Sequence, residues 1–365
     1  MASTTPVAST TPVADRVRPA PGTDRPAGSP VRLATRGSPL ARWQADRVAA
    51  LLRALPGAPP VEIVTVRTTG DRLAEVSLAA LGGQGVFVTE VQQAVLSGVA
   101  DLAVHSAKDL PSVTPEGLVI AAVPERADPR DALAGSTLHD LRPGALVGTG
   151  SPRRRAQLAW MRPDLRFTEL RGNIGTRLGR VGEVDVVVVA RAALDRLDLA
   201  TSAAEVLSPT LMLPQVAQGA LAVECRAGDA GVRDLLARID DAAVHRAVDA
   251  ERSFLAAVGG GCRAAIGALA RPAGPGAGAA GGSASDGGPA DADSPADADR
   301  SADADRSEPA AGALVLDAMV ASPDGRIVLR CRVTGTEPLA LGRAAHAELV
   351  ERRGASLVLD PQARA

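Results

Sequence analysis

The stretch Ala145–Trp160, ALVGTGSPRRRAQLAW, reads as a short apolar strand that empties into Gly150-Ser151-Pro152 and then into a helix. Ser151 suits the N-cap, and Pro152 the first helical position, where its fixed φ is already correct and its missing N–H is not needed. The same punctuation occurs earlier in the chain. Val31–Thr35 runs through Arg36-Gly37-Ser38-Pro39 into LARWQADRVAALLRAL, in which Leu40, Trp43, Val48, Leu51, Leu52 and Leu55 recur near helical spacing. Two units of strand, Gly-Ser-Pro and helix predict two similar α/β lobes. Each would present a helix N-terminus at the carboxyl end of a strand, where such sheets bind ligands. The tripeptide alone is weak, since Gly28-Ser29-Pro30 also occurs in a stretch without a core-forming pattern.

The second unit carries the sharper chemistry. Arg153, Arg154 and Arg155 fall in the first helical turn, where the macrodipole disfavours cations, so an anionic partner is expected there. A second such place follows. The strand candidate Arg166–Leu170 leads to Arg171-Gly172-Asn173-Ile174-Gly175-Thr176-Arg177, read as a glycine turn with a basic residue again opening a helix. Val184–Ala190, VDVVVVA, has the unbroken apolar character of a strand covered on both faces, and Arg191 and Arg196 follow it. Any one of these arginines would pass as a solvated surface charge. Several at strand-to-helix turns point to a ligand with multiple carboxylates, which guanidinium groups bind in bidentate fashion.

Asp101–Pro111, DLAVHSAKDLP, crowds polar residues at another strand end: Leu102-Ala103-Val104 gives way to His105-Ser106-Ala107-Lys108-Asp109. Lys108 is the single lysine among 40 basic residues. Because an ammonium differs from a guanidinium in geometry, hydration and ease of pKa tuning, its place beside a carboxylate suggests a chemical requirement. An ordinary surface ion pair would account for it as well. Farther on, Ala242–Val258 reads as a helix with Val244, Val248, Leu255 and Val258 on one side, ending in Gly259-Gly260-Gly261-Cys262. Past a helix C-terminus a thiol gains no dipole activation, so Cys262 suits covalent attachment better than a protease-like role. Cys225 and Cys331 read as buried, inert thiols.

Composition sets the frame. The chain of 365 residues has room for two or three domains, and its net charge of -2 supplies no global field for nucleic acid or an anionic membrane. Two Trp, three Phe and no Tyr disfavour recognition by base stacking. Three widely spaced cysteines form neither a disulfide framework nor a zinc cluster, and no metal site is expected. No apolar leader core or membrane-length run is visible, so a cytoplasmic location is expected. Residues 1–30, with the tandem ASTTPV copies, and the Ala/Gly/Asp-rich block at about 272–311 read as disordered. After that block, ALVLDAMVA, the turn Ser322-Pro323-Asp324-Gly325 and RIVLRCRVTG predict a hairpin, and a helix over Pro338–Arg353 would complete a small α+β domain.

Taken in order, RLATRGSPLARWQA, ADLAVHSAKDLP, ERADPRDA, VGTGSPRRRAQL, LRGNIGTRL, QVAQGALAVECR and GGGCRAAIG resemble one family, the porphobilinogen deaminases or hydroxymethylbilane synthases. The resemblance covers about Val31–Gly354 apart from the low-complexity block. It implies an α/β fold of two doubly wound lobes resembling type II periplasmic binding proteins, plus a small α+β C-terminal domain. The expected limits are 31–125 with 219–238 for domain 1, 126–218 for domain 2 and 239–365 for domain 3. It further implies a monomeric transferase that condenses four porphobilinogen molecules head to tail, releasing ammonia, to give hydroxymethylbilane. Its cofactor would be a dipyrromethane joined by a thioether to Cys262. Asp109 would be catalytic, with Lys108 beside it. Ser106, Lys108, Asp109, Thr149, Ser151, Arg153, Arg154 and Arg171 would face the cofactor, and Arg36, Ser38, Arg177 and Arg196 the substrate. Gln218 and Gly219 match a stretch near the interdomain crossover.

Some residues depart from the family's pattern. Ala80 and Gln84 stand where some relatives carry lysines, and Gly150 replaces a common serine. A non-catalytic two-lobed receptor is the competing class, because fold alone does not decide function. Such a receptor has no use for a cysteine after three glycines or for Lys108-Asp109. A cysteine hydrolase with His105 as base leaves the arginines unexplained, and His105 reads instead as a structural strand-end residue.

Overall fold

The computed structural model describes residues 28–66, 88–259, 265–274 and 310–359. Cys262, Ala80, Gln84, the tandem-repeat tail and most of the Ala/Asp-rich block lie outside them.

The chain opens with β1 (Val31–Arg36), α1 (Pro39–Arg53), β2 (Val61–Val66), α2 (Thr89–Leu96), β3 (Leu102–Ser106) and β4 (Leu118–Ala122). It then crosses to a second lobe: β5 (Asp131–Ala134), β6 (Leu146–Gly148), α3 (Pro152–Met161), β7 (Arg166–Thr168), α4 (Ile174–Leu178), β8 (Val186–Ala190), α5 (Arg191–Arg196) and β9 (Glu205–Val206). It returns to the first lobe with β10 (Leu221–Arg226) and α6 (Ala230–Ala237). A third unit follows: α7 (Ala242–Ala257), β11 (Ala265–Pro272), β12 (Leu314–Ala321), β13 (Val328–Gly335) and α8 (Pro338–His346).

The sheets run β2-β1-β3-β10-β4 and β7-β6-β8-β5-β9. In each, four strands run in one direction, and one strand contributed after a crossing, β10 or β5, is antiparallel to both its neighbours. Both lobes therefore have one topology, the arrangement expected from the repeated strand-helix unit. Local capping explains the repeat. Ser38 Oγ accepts from Ala41 N at 3.3 Å and Ser151 Oγ from Arg154 N at 3.4 Å, each satisfying an orphan donor of the first helical turn. Every residue of β8 is buried, as its unbroken apolar run requires.

The third unit is an antiparallel sheet, β11-β12-β13, covered by α7 and α8. Gly342 permits that helix contact: a Cβ there would lie 2.5 Å from the Ala250 carbonyl oxygen. On α7, Val248 and Phe254 are fully buried, and Val244, Leu255 and Val258 pack against the same cluster. This core is not self-contained. It takes in Ala107 and Leu110 beside the end of β3, and Val123, Val216, Ala217 and Ala220 from the two crossings. Glu251, fully buried on α7, accepts two bonds from Arg126 (2.6 and 3.2 Å), one from Ala217 N (2.6 Å) and one from Ala270 N (2.8 Å). Both crossings and β11 are thereby tied to the helix that precedes the Gly259-Gly260-Gly261-Cys262 segment of the sequence.

Candidate active site at the junction of the lobes

Beyond β3 the chain makes a single 3-10 turn, Ala107–Asp109. Ala107 N donates to Ala220 O at 3.0 Å, and the buried side chains of Ala107 and Leu110 root the turn in the core below. Lys108 is left half-buried and Asp109 exposed. Ser106 is half-buried at the strand end. Among the described residues the Asp109 side chain accepts no hydrogen bond, which leaves both carboxylate oxygens available.

The Lys108 ammonium donates to Gln218 Oε1 at 3.3 Å, while Gln215 Nε2 donates to the Lys108 carbonyl at 3.0 Å. Although part of its side chain meets solvent, the amine end is enclosed. Burial pushes its pKa down to about 8, against the opposing pull of Asp109 and Asp131 and with help from Arg154 and Arg153.

The facing wall belongs to the second lobe. Arg153 and Arg154, 3% and 6% exposed, open α3 and grip the fully buried Asp131. Each forms an ion pair with it at 2.8 Å, and Arg154 Nε adds a bond of 3.0 Å. Arg154 also donates to Val188 O at 2.8 Å and Arg153 to Leu213 O at 2.6 Å. Burial alone would raise the Asp131 carboxyl, but the two guanidinium groups overcome that and hold it far below the ordinary carboxylate range. The cations at this helix start thus have an internal counter-ion, which corrects the inference that a ligand is needed to explain them. The pairing is incomplete, because Arg153 Nε and Nη2 are buried without a hydrogen-bond partner. Thr149 Oγ1 accepts from Ser151 N at 3.2 Å. At Gly150 a Cβ would sit 3.0 Å from the Leu170 carbonyl, so a serine would require that backbone to give way.

Arg177 faces Arg154, Asp109 and Arg171, and burial lowers its pKa. Its Nε donates to Gly172 O at 2.9 Å. It stands in the last turn of α4, not at a helix start as the sequence suggested, because Asn173 caps the helix through Thr176 N at 2.9 Å. Arg171 pairs with Glu169. Arg36 ends β1 and is half-buried, with Ser38 capping the helix after it. Arg196 is 5% exposed and bridges the lobes: Nη2 donates to Gly219 O at 2.6 Å, and its guanidinium lies 5.4 Å from the Trp43 ring on α1.

Other expectations resolve simply. His105 is buried, its Nε2 3.1 Å from Glu224 Oε2 without hydrogen-bond alignment, and Gln92 donates to both Glu224 oxygens, a structural cluster behind β3. Cys225 and Cys331 are buried, and burial pushes their thiols up to about 11 and about 12. Asp131, Gln218, Trp43 and Glu251 were not singled out by sequence reasoning as interacting groups. For Asp131 the only local signal was its place in ERADPRDA. Among the described residues no helix is long and apolar enough to cross a membrane.

Two lobes of one topology, with Lys108 and Arg177 near the exposed Asp109 carboxylate at their junction, define the class as a two-lobed α/β protein with a charged site between its lobes. A family profile described as "Porphobilinogen deaminase, dipyromethane cofactor binding domain" matches residues 31–234. The porphobilinogen deaminase of Acidothermus cellulolyticus is 44% identical over 91% of this chain and 91% of its own. That of Acidithiobacillus ferrooxidans is 41% identical over 90% and 97%. Among solved structures, the Bordetella pertussis BvgS VFT2 domain aligns with 57% of this chain and 84% of its own at 18% identity, with a TM-score of 0.36. The chain belongs to the porphobilinogen deaminase family. It is a transferase of porphyrin biosynthesis that polymerises porphobilinogen into hydroxymethylbilane, and it carries the family's dipyrromethane-binding domain.

Proposed function

We propose that Asp109 is the catalytic carboxylate and that Cys262 holds the dipyrromethane through a thioether. The observation that carries this reading is the exposed, unbonded Asp109 carboxylate beside Lys108, with Arg177 facing it. Dipyrromethane, when bound, supplies the nucleophilic pyrrole end on which the chain is built. Its carboxylates fit the donors present, since Arg153 has two buried donors without partners. Arg153, Arg154, Arg171 and Lys108, with the hydroxyls of Ser106, Thr149 and Ser151, would hold it. Arg36, Ser38, Arg177 and Arg196 would hold the acetate and propionate groups of incoming porphobilinogen.

Asp109 then accepts hydrogen bonds from pyrrole N–H groups and stabilises the positive charge left on porphobilinogen as ammonia departs. It also assists removal of the ring proton after the new carbon-carbon bond forms. The Lys108 ammonium stands beside this carboxylate as its cationic neighbour. The domains are read as 31–125 with 219–238, 126–218 and 239–365. The protein is read as a cytoplasmic monomer without nucleic-acid partners.

Intact mass spectrometry of active protein tests the attachment. The expected mass exceeds that of the bare polypeptide by one dipyrromethane, located on the Cys262 peptide. Active protein at the bare mass would overturn it, and would be the result for a receptor.

A further inference from the structure

We infer that Gln218 is a positioning residue for Lys108, its side-chain amide linking the catalytic strand end of the first lobe to the Asp131 cluster of the second. The inference deepens the proposed site and rests on that reading of Lys108 and Asp109.

Gln218 lies on the return crossing and is fully buried. Its Oε1 accepts from the Lys108 ammonium at 3.3 Å, while its Nε2 donates to Asp131 Oδ1 at 3.0 Å and to Pro129 O at 2.7 Å. Its backbone is fixed as well, with Gln218 O accepting from Arg126 Nε at 3.0 Å. The partners determine the amide's orientation. An ammonium only donates and a carboxylate only accepts, so the oxygen must face Lys108 and the nitrogen Asp131. A side chain between these two groups needs one acceptor end and one donor end without charge of its own. Leucine would strand the ammonium and remove a donor from Asp131. Glutamate would satisfy the ammonium but set a second carboxylate against Asp131.

The link acts across the lobes. Asp131 is the counter-ion of Arg153 and Arg154, so its position and theirs are conveyed through one amide to the lysine beside Asp109. The charged groups facing Lys108 are Asp109 on its own turn, Asp131 on β5 and Arg153 and Arg154 on α3. Among these the Gln218 oxygen is the neutral acceptor that favours the ammonium over the amine.

Lys108 is the only lysine in the chain, so holoenzyme grown with lysine labelled with carbon-13 at Cε gives a single lysine Cε resonance whose pH titration reports this amine alone. With Gln218→Leu the midpoint should fall by about one pH unit, equivalent to tenfold weaker proton affinity, because the acceptor is gone while the enclosure remains. With Gln218→Glu the midpoint should rise, because a carboxylate now faces the ammonium. The alkaline limb of the turnover profile should move with each. General loosening of the site would instead hydrate the amine and raise both midpoints toward the ordinary lysine value. Midpoints that stay at the wild-type value, or that rise alike in both variants, would overturn the role of Gln218. The titration reads the protein and not its turnover, so it can fail while the Cys262 adduct is present, and the reverse.

Discussion

The two lobes share one strand order yet treat carboxylates in opposite ways. By register, Ser106 at the end of β3 pairs with Leu221, and Ala190 at the end of β8 pairs with Asp131. Opposite the last residue of each of these strands, the first lobe buries a leucine and the second buries a carboxylate. Beyond the strand ends the contrast is reversed. The first lobe continues into Ala107-Lys108-Asp109, with the carboxylate exposed, and the second into Arg191-Ala192-Ala193. One fold thus leaves one aspartate exposed beyond a strand end and buries another as the counter-ion of two arginines. A buried carboxylate with two guanidinium partners is a structural counter-ion, whereas one without a hydrogen-bond partner at an exposed turn is free to meet a substrate.

The largest expected effect separates those roles. Asp109→Ala should lower turnover about a thousandfold or more, the scale of losing an electrostatic and proton-transfer group together. Because Asp109 is exposed, unfolding free energy in denaturant should change by no more than about 0.5 kcal/mol. Turnover within tenfold of wild type would remove Asp109 from its role and erase the contrast.

Asp131→Ala should do the converse. It leaves Arg153 and Arg154 buried without their counter-ion, so stability should fall by about 3–5 kcal/mol in denaturant titration. The pH dependence follows from the depressed carboxyl. Its folded pKa lies below the ordinary value of 3.8, so its stabilisation is complete above that value and is lost as pH falls through it toward the folded one. Wild-type stability should therefore drop steeply on acidification below about pH 4. Asp131→Asn should lack that component while starting from a lower plateau. An unchanged acid profile in Asp131→Asn would show that the carboxylate is not the counter-ion the geometry describes.

How far the sequence reveals this contrast depends on the range of each interaction. The caps of α1 and α3 were legible because Ser38 and Ser151 bond to backbone three residues ahead. So was β8, whose composition alone announces burial on both faces. The arginines were legible as an electrostatic anomaly, but their partner was not. Asp131 is 22 and 23 residues before them, and only the crossing into β5 brings it under α3. The lobe exchange also hid Gln218, which meets Lys108 110 residues away. Arg177 falls in the last turn of its helix, not its first, because Asn173 caps the helix four residues before it. Glu251 gave no signal beyond a charged residue on a helix otherwise read for its apolar side.

The smallest effect tests whether the lobes are joined as well as contrasted. Arg196 has a buried Nε without a hydrogen-bond partner, and the Trp43 ring from the other lobe covers its guanidinium. Burial lowers the Arg196 pKa, so the cation is held in poorly hydrated surroundings, where a cation–π contact is worth about 1–2 kcal/mol. Trp43→Leu should remove that support and raise KM for porphobilinogen about tenfold, while kcat stays within about twofold. Trp43→Phe should retain part of the effect, because a smaller aromatic face remains. The chain has two tryptophans, and Trp160 is half exposed on α3 at 51%. In a Trp160→Phe background, fluorescence therefore reports Trp43 alone and should change as the lobes separate. If KM is unmoved in Trp43→Leu, the ring merely fills space between the lobes, and Arg196 is positioned by its bond to Gly219 without help from the first lobe's helix.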